Sequence, residues 1–315
     1  TGIERYAAAL IRELAELHPT LDGSVRLSVY LHTGNPYASA VHLDEALQVL
    51  SKGGLFRRVY TGRRGYGAAL SAYSVIDRLD LLHILRPGRL WLRTSPYVVT
   101  VHDIKVVGLS EEERQIERAD LSKATVRLLS AAAGLIAVSE STAHDLALSF
   151  GDGLRMPMCV IHHGVDAGYF AAQGSAEIIR QKYGLERYIL FVGTLQYRKN
   201  LSRLIEAFAR IKCAHRIPHR LVLAGRDGWG ADLVYAAVRE QGMESEVLFP
   251  GYVPEGDLPG LYAGADVFAY PSLHEGFGIP LLEAMASGTV VMTSSLFSIP
   301  EVAGEAEVPV EPGDR

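Results

Sequence analysis

The amino-acid sequence predicts an α/β protein built from two parallel sheets that follow one another along the chain. Short runs of mainly aliphatic residues alternate with helical patterns from residue 25 onward, and these runs are apolar almost throughout, as strands buried on both faces are. The chain has 315 residues, of which 48% are hydrophobic. This is enough for two domains, each with its own core.

The first sheet is predicted over residues 1–168. Its first element is a helix, because TGIERYAAALIRELAEL places apolar residues at helical spacing. No strand-like run precedes this helix, so we expect the first strand of the domain to be missing. The runs that follow have the character of strands: VRLSVYL, LLHIL, YVVTV, GLIAV and MCVIH.

The second sheet is predicted over residues 169–315, after the Gly-rich segment HHGVDAGYFAAQGS. Helical patterns such as residues 201–212 separate its strand-like runs, and this alternation favours a parallel sheet. We expect the closing helices of this domain to be missing as well. Its predicted strands are YILFV, RLVLA, EVLFP, DVFAY and TVVMT.

Charge and composition exclude some classes of protein. A formal net charge of −5 gives little support to a nucleic-acid partner. The two cysteines, Cys159 and Cys213, form no disulfide framework or metal knuckle, which indicates a reducing compartment and a cytoplasmic location. No run is long enough for a membrane helix. Peripheral contact with the inner face of a membrane, through helix 3–17 or the basic segment TGRRGYG at 61–67, is the less favoured alternative.

Ligands of open α/β sheets bind beyond the carboxyl ends of the strands, so the chemistry is expected in the segments that follow the second set of strands. After YILFV, Gly193 permits a tight turn and Asn200 can cap the next helix. Arg198 and Lys199 lie between them, beside the helix start. Two cations there predict an anion site, although a solvated turn is the alternative.

Two further strand ends carry weaker signals. GRDGWG, residues 225–230, has glycines that let the backbone approach a ligand, but an ordinary loop would look the same. Tyr252 and Val253 follow EVLFP and could present a face and main-chain groups to a planar ring.

The segment HEGFGIPLLEA follows DVFAY and has two glutamates. Pro280 suits the first turn of a helix that starts near Ile279, so Glu275 lies in the loop and Glu283 one turn inside the helix. Gly276 and nearby amides can face a phosphate, and carboxylates accept hydrogen bonds from hydroxyls. The layout predicts a sugar nucleotide, while surface and helix-start charges are the alternative.

HEGFGIPLLEAMASG resembles the E-x7-E signature of retaining glycosyltransferases of family 4. GTLQYRKNL, GYVPEGDLPGLYAGADVFAYPS and IPEVAGEA resemble other segments of that family in the same order, and TGIERY, VVTVHDI and LIAVSESTAHDL resemble its first half. The resemblance covers nearly the whole chain. It implies the GT-B fold, in which two Rossmann-like domains face each other across a cleft. The first domain, residues 1–168, would hold the acceptor, and the second, residues 169–315, would hold most of the nucleotide sugar.

The resemblance also implies roles for single residues. Glu275 would contact the donor-sugar hydroxyls and Glu283 the ribose, while Arg198 and Lys199 would hold the diphosphate. His102, together with Asp103, would act on the sugar from the first domain. The donor-binding set is completed by Gly2, Gly193, Thr194, Gly225, Arg226, Tyr252, Val253, Gly276, Phe277, Gly278 and Ile279.

The resemblance implies transfer of a hexose without a metal or cofactor, and the chain has no Asp-x-Asp motif. His162, His163 and His274 lack the spacing of metal ligands, so we interpret them as structural or as lining the cleft. Retention of configuration is explained in the family by front-face attack.

Three functions remain open at this level. The first is transfer of mannose from GDP-mannose to a glycan or lipid-linked acceptor. The second is a UDP-sugar transferase of the same fold. The third is a non-catalytic sugar-nucleotide-binding or scaffold subunit, which Glu4 favours because it stands where the family motif leads us to expect glycine.

Overall fold

The computed structural model describes residues 2–17, 28–32, 56–60, 78–85, 95–104 and 123–310. The chain divides into two compact units. Residues 1–138 and 142–161 form the first, and residues 139–141 and 162–315 form the second. The division after Ile161 lies a few residues ahead of the boundary expected at residue 168. The basic segment 61–67 lies outside the described residues.

The first unit contains two parallel sheets and three helices among its described residues. β1 pairs with β2, and β3, β4, β5 and β6 form a four-stranded sheet in sequence order. Val99, Leu135 and Leu146 lie in its core, each no more than 2% exposed. The elements are α1 (Gly2–Leu17), β1 (Ser28–His32), β2 (Phe56–Tyr60), β3 (Leu82–Ile84), β4 (Tyr97–Val101), α2 (Lys123–Ser130), β5 (Gly134–Ala137), α3 (Glu140–Phe150) and β6 (Met158–Val160).

The second unit is a six-stranded parallel sheet with helices between successive strands. Its core is filled by side chains from both faces of the sheet, among them Tyr188, Leu221 and Phe268, which are fully buried. The elements are α4 (Ala176–Tyr183), β7 (Tyr188–Val192), α5 (Leu201–His215), β8 (Arg220–Ala224), α6 (Ala231–Glu240), β9 (Val247–Gly251), α7 (Leu258–Ala263), β10 (Val267–Tyr270), α8 (Ile279–Ala286), β11 (Val291–Ser294), α9 (Ile299–Ala303) and β12 (Glu307–Val310).

The strand order of the second unit is β12-β11-β10-β7-β8-β9. Counted from β7, this is the 3-2-1-4-5-6 order of a doubly wound sheet, in which the direction of winding reverses between the first and fourth strands. The reversal opens a crevice at the carboxyl ends of β7 and β10. The topology therefore selects the loops after these two strands as the place for a ligand.

Two strands were not predicted from the sequence. β2 has the sequence FRRVY, whose two arginines hide the apolar pattern of a strand. β12 lies at one edge of the sheet and contains Pro309. Proline cannot donate to a sheet ladder, so it is tolerated in edge strands and argues against a strand when only the sequence is seen.

Among the described residues, no helix combines the length and the apolar character that crossing a membrane requires.

Candidate functional site

The loops after β7 and β10 meet, as the topology requires. Residues 193–200 follow β7 and residues 271–278 follow β10. The Leu273 N–H donates to the Arg198 carbonyl oxygen at 2.8 Å, which joins the two loops directly. A 3₁₀ turn over Tyr197–Lys199 carries the two cations at this point, immediately before α5 begins.

Glu275 binds both of these cations. Arg198 Nη1 donates to Glu275 Oε2 at 2.9 Å and to the His274 carbonyl oxygen at 2.7 Å. The Lys199 ammonium donates to Glu275 Oε1 and, at 2.9 Å, to the Tyr270 hydroxyl oxygen. Lys199 is 5% exposed and Glu275 is 6% exposed, so the group is taken out of water almost completely. We call these four side chains, of Arg198, Lys199, Tyr270 and Glu275, the charge cluster.

The charges of the cluster are fixed by their neighbours. Burial by itself raises the pKa of Glu275, but the nearby charges of Arg198 and Lys199 outweigh it and hold that pKa well below its usual range. Burial and the Glu275 carboxylate raise the pKa of Tyr270 well above its ordinary value. At neutral pH the cluster therefore has two cations, one carboxylate and a protonated phenol. Its net charge is positive, which suits a dianionic group such as a diphosphate.

The loop from Glu275 to Gly278 is fixed through its backbone. Ser298 Oγ donates to the carbonyl oxygens of Glu275 and Phe277, at 2.9 and 3.1 Å. Ser139 Oγ donates to the carbonyl oxygen of Gly276 at 2.6 Å. Gly278 has φ 102° and directly precedes α8, at a conformation that glycine adopts without strain. The loop thus enters the first turn of α8, at Ile279, in one defined conformation.

Glu283 lies one turn inside α8 and is 1% exposed. Its Oε2 accepts a hydrogen bond from the Tyr262 hydroxyl at 2.8 Å. The Tyr262 ring contacts Phe268, with ring centres 5.3 Å apart, and Phe268 stacks on Tyr270 of the charge cluster at 5.5 Å. A row of aromatic rings therefore connects the surroundings of the two glutamates.

Glycines bring the carboxyl ends of β7, β8 and β9 into close contact. Gly193 N–H donates to the Ala224 carbonyl oxygen at 2.9 Å, and Gly225 N–H donates to the Gly251 carbonyl oxygen at 2.8 Å. A Cβ atom added to Gly225 would lie 1.8 Å from the Gly193 carbonyl oxygen, so no other residue fits there. Thr194, which follows Gly193, is exposed to solvent.

The two residues predicted to meet a planar ring, Tyr252 and Val253, differ in their exposure to solvent. The Arg226 guanidinium lies over the Tyr252 ring, 4.6 Å from its centre. Tyr252 is 52% exposed and can still present ring surface to a ligand. Val253 is 4% exposed, so its side chain belongs to the core and only its main chain remains to meet a ligand.

The predicted residues of the first unit lie at the end of β4 and at the start of α1. His102 Nε2 is 2.8 Å from the Leu85 carbonyl oxygen, and because a carbonyl only accepts, this nitrogen carries the proton. The centres of the His102 and Tyr6 rings lie 4.9 Å apart, with the ring planes at 76°. Asp103 is exposed, and Gly2 is the first residue of α1.

His162, His163 and His274, interpreted from the sequence as structural or cleft-lining, all contact other protein groups, and the His274 ring lies 4.4 Å from that of Phe297. His162 Nε2 is 2.6 Å from Glu301 Oε1, whose side chain also accepts from the N–H of Glu140 at 2.8 Å. His163 packs edge-on against Phe277 at 4.9 Å. In the part of the chain that the structure describes, no three His, Cys, Asp or Glu side chains gather as ligands of one metal ion would.

Sequence reasoning missed Tyr270, Tyr262, Ser139 and Ser298. Tyr270 had a usable signal, because it is the last residue of its strand and the rule about carboxyl ends applies to it directly. The two serines had none, since each acts through backbone carbonyls far away in the chain.

Comparison with known proteins agrees with this architecture. The family profile described as Glycosyltransferase Family 4 matches residues 1–169, and the profile described as Glycosyl transferases group 1 matches residues 156–314. A relative from Escherichia coli, O-antigen chain mannosyltransferase B, is 33% identical over 332 aligned residues, which cover 100% of this chain and 84% of the relative.

The chain belongs to glycosyltransferase family 4. A second relative, 2-deoxystreptamine glucosyltransferase of Streptomyces kanamyceticus, is 28% identical over 72% of this chain and 62% of its own length. The resemblance drawn from the E-x7-E segment is thereby confirmed.

Solved structures confirm the fold. Anabaena HepE, in complex with UDP and glucose, superposes with a TM-score of 0.70 at 22% identity, covering 100% of this chain and 83% of HepE. WaaG, a glycosyltransferase involved in lipopolysaccharide biosynthesis, has a TM-score of 0.66 at 20% identity, covering 91% of this chain and 86% of WaaG. The predicted GT-B fold class, with two parallel-sheet α/β domains, is correct.

Proposed function

We propose that this protein is a retaining hexosyltransferase that moves mannose from GDP-mannose to a glycan or lipid-linked acceptor. The observation that carries the proposal is the charge cluster at the crevice of the second sheet, where Arg198 and Lys199 converge on Glu275. Its net positive charge lies beside the first turn of α8, whose positive dipole end also favours an anion.

The proposed reaction makes specific use of these groups. The bond between the anomeric carbon and the diphosphate oxygen breaks, and a bond to the acceptor oxygen forms on the same face of the sugar. Arg198 and Lys199 stabilise the charge that develops on the departing diphosphate. The departing phosphate oxygen takes the proton of the acceptor hydroxyl. We infer that no metal ion is needed, since the two cations and the helix end supply positive charge.

The carboxylates are assigned to hydroxyl recognition. Glu275 stays ionised, so it can accept hydrogen bonds from donor-sugar hydroxyls. We assign Glu283 to the ribose, with Tyr262 holding its carboxylate in place through the 2.8 Å hydrogen bond. His102 and Asp103, in the first unit, are assigned to the sugar.

The preference for GDP-mannose as the donor is based on the relatives. O-antigen chain mannosyltransferase B, at 33% identity over the whole chain, favours mannose. The UDP and UDP-glucose complexes of HepE favour the alternative, a UDP-hexose donor. We further propose a cytoplasmic site of action.

Thermal shift with nucleotides tests the proposal. GDP should raise the melting temperature more than UDP at equal concentration, because a ligand that binds only the folded state stabilises it more when its affinity is higher. Transfer of labelled mannose from GDP-mannose should follow. A larger shift with UDP would replace the donor by a UDP-hexose. Nucleotide binding with neither transfer nor hydrolysis would favour the non-catalytic alternative, and no response to either nucleotide would contradict the proposal.

A further inference from the structure

A cavity of about 480 Å³ lies between α5, the first turn of α6 and the loops that follow β7 and β10. Pockets that bind small molecules measure about 300–1,000 Å³, so this cavity has the size of a binding site. Every residue that lines it belongs to the second unit.

This cavity and the charge cluster lie on two sides of one turn. Arg198 and Lys199 reach to Glu275, whereas Tyr197 and Asn200, their neighbours in the chain, line the cavity. Leu273 also lines it. The cavity is therefore distinct from the charge cluster, and the turn at residues 197–200 borders both.

The polar part of the lining mixes donors with acceptors. Arg203 Nη1 lies 3.1 Å from Glu206 Oε2, and both side chains are partly exposed, at 42% and 37%. The Glu206 carboxylate beside the Arg203 guanidinium, and the water around the exposed Arg210, weaken the attraction for an anion. The mixture of donors and acceptors suits sugar hydroxyls, which donate and accept. The polar lining residues are Gln196, Asn200, Ser202, Arg203, Glu206 and Arg210.

Aromatic surface stands next to these polar groups. Tyr197 lines the cavity, and its ring meets that of Trp229 at 6.0 Å and 66°. Trp229 is 50% exposed, and Leu233, at the cavity wall, is 47% exposed. Rings with an apolar face and a polar edge, beside planar hydrogen-bonding groups, match the chemistry of a sugar ring, which has C–H faces and a hydroxyl rim.

We propose that this cavity is a subsite for a neutral oligosaccharide, which it holds away from the reacting end. The identification of that saccharide as the acceptor or product rests on the proposed function, but the binding itself does not. Two lining residues, Leu273 and Gln196, contact Arg198 of the donor machinery, Leu273 through the 2.8 Å hydrogen bond to the Arg198 carbonyl oxygen. With its oxygen facing the guanidinium, the Gln196 amide accepts from Arg198 Nε at 2.8 Å and from Nη2 at 3.1 Å.

Nuclear magnetic resonance of the tryptophan side chains tests the subsite in the full chain. The chain has two tryptophans, so Trp229→Phe assigns the indole N–H signals. Short manno-, gluco- and galacto-oligosaccharides are titrated separately, first alone and then with GDP or UDP at saturation. At least one series should shift the Trp229 signal in a saturable way, with nucleotide present or absent.

Two variants locate the binding. Arg203→Ala should weaken the saccharide about tenfold or more, the effect of losing a charged hydrogen bond. Arg187→Ala is the matched control, since Arg187 forms a similar exposed ion pair at 3.1 Å with Asp266 and does not line the cavity. It should leave the saccharide affinity unchanged.

Some results would overturn the inference. One is that no saccharide shifts the Trp229 signal, and another is that both arginine variants lose saccharide affinity equally. The others are that GDP or UDP displaces the saccharide, or that inorganic phosphate shifts the Trp229 signal and saccharides do not. The binding of GDP or UDP is interpreted separately from the binding of the saccharide. Nucleotide binding without a saccharide response removes the subsite and keeps the proposed function, while a saccharide response without nucleotide binding does the reverse.

Discussion

Neutralising Glu275 should destabilise the second unit strongly. In the Glu275→Gln variant, Lys199 remains 5% exposed but loses the carboxylate that balances its charge. Removing one partner of a buried pair costs about 3–5 kcal/mol. We expect the lower end, about 3 kcal/mol, because the glutamine oxygen can still accept from Lys199. In a unit of this size, that loss lowers the melting temperature by roughly 6–12 °C.

The pH dependence of this difference has a definite sign. Folding lowers the pKa of Glu275, so the ionised carboxylate contributes fully to the free energy of unfolding at pH values above its ordinary pKa of 4.5. That contribution is lost as the pH falls towards the lowered pKa of the folded state. The stability gap between wild type and Glu275→Gln should therefore be constant near neutral pH. It should narrow as the pH drops below about 4.5.

Calorimetry and chemical denaturation at several pH values measure the gap. Asp266→Asn is the control, because water reaches the Asp266 carboxylate, which pairs with Arg187 at 3.1 Å and with His219 at 3.4 Å, and ion pairs that water reaches contribute under about 1 kcal/mol. A nucleoside diphosphate should restore part of the stability of Glu275→Gln, since its phosphates supply negative charge beside the two cations. Equal stability of Glu275→Gln and Asp266→Asn would refute the account of the cluster.

Three further predictions concern the site. Gly225→Ala should lower the free energy of unfolding, measured by chemical denaturation, by about 3 kcal/mol or more, because the added Cβ would lie 1.8 Å from a backbone oxygen. Gly242→Ala, at φ +64° with open space around it, should lower it by about 1 kcal/mol. Equal losses would contradict the steric reason. Tyr262→Phe should cost about 1–3 kcal/mol by calorimetry, since the buried Glu283 carboxylate loses a 2.8 Å hydrogen bond; an unchanged transition would show that this bond is unimportant. Transfer, followed with a labelled donor, should continue in excess EDTA and gain nothing from added Mg²⁺ or Mn²⁺, and a loss restored by either ion would exclude the metal-free mechanism.

Local pattern predicted much of the second unit. YILFV and RLVLA are β7 and β8 with their bounds unchanged, because strands buried on both faces show as unbroken apolar runs. Pro280 marked the start of α8 correctly, since proline fits a first helical turn. β2 and β12 were not predicted, because two arginines interrupt the apolar pattern of β2 and a proline interrupts that of β12.

The sequence by itself determined the two α/β series, the family motif and the placing of charged residues just beyond strand ends. Hydrophobic periodicity and turn chemistry are local properties, so they can be read without coordinates. Only the tertiary structure decided that β7 lies beside β10, which brings Lys199 to a carboxylate 76 positions away and buries both. That pairing depends on strand order, which no local pattern encodes. The same holds for the cavity beside Arg198, whose walls come from helices that meet only after folding.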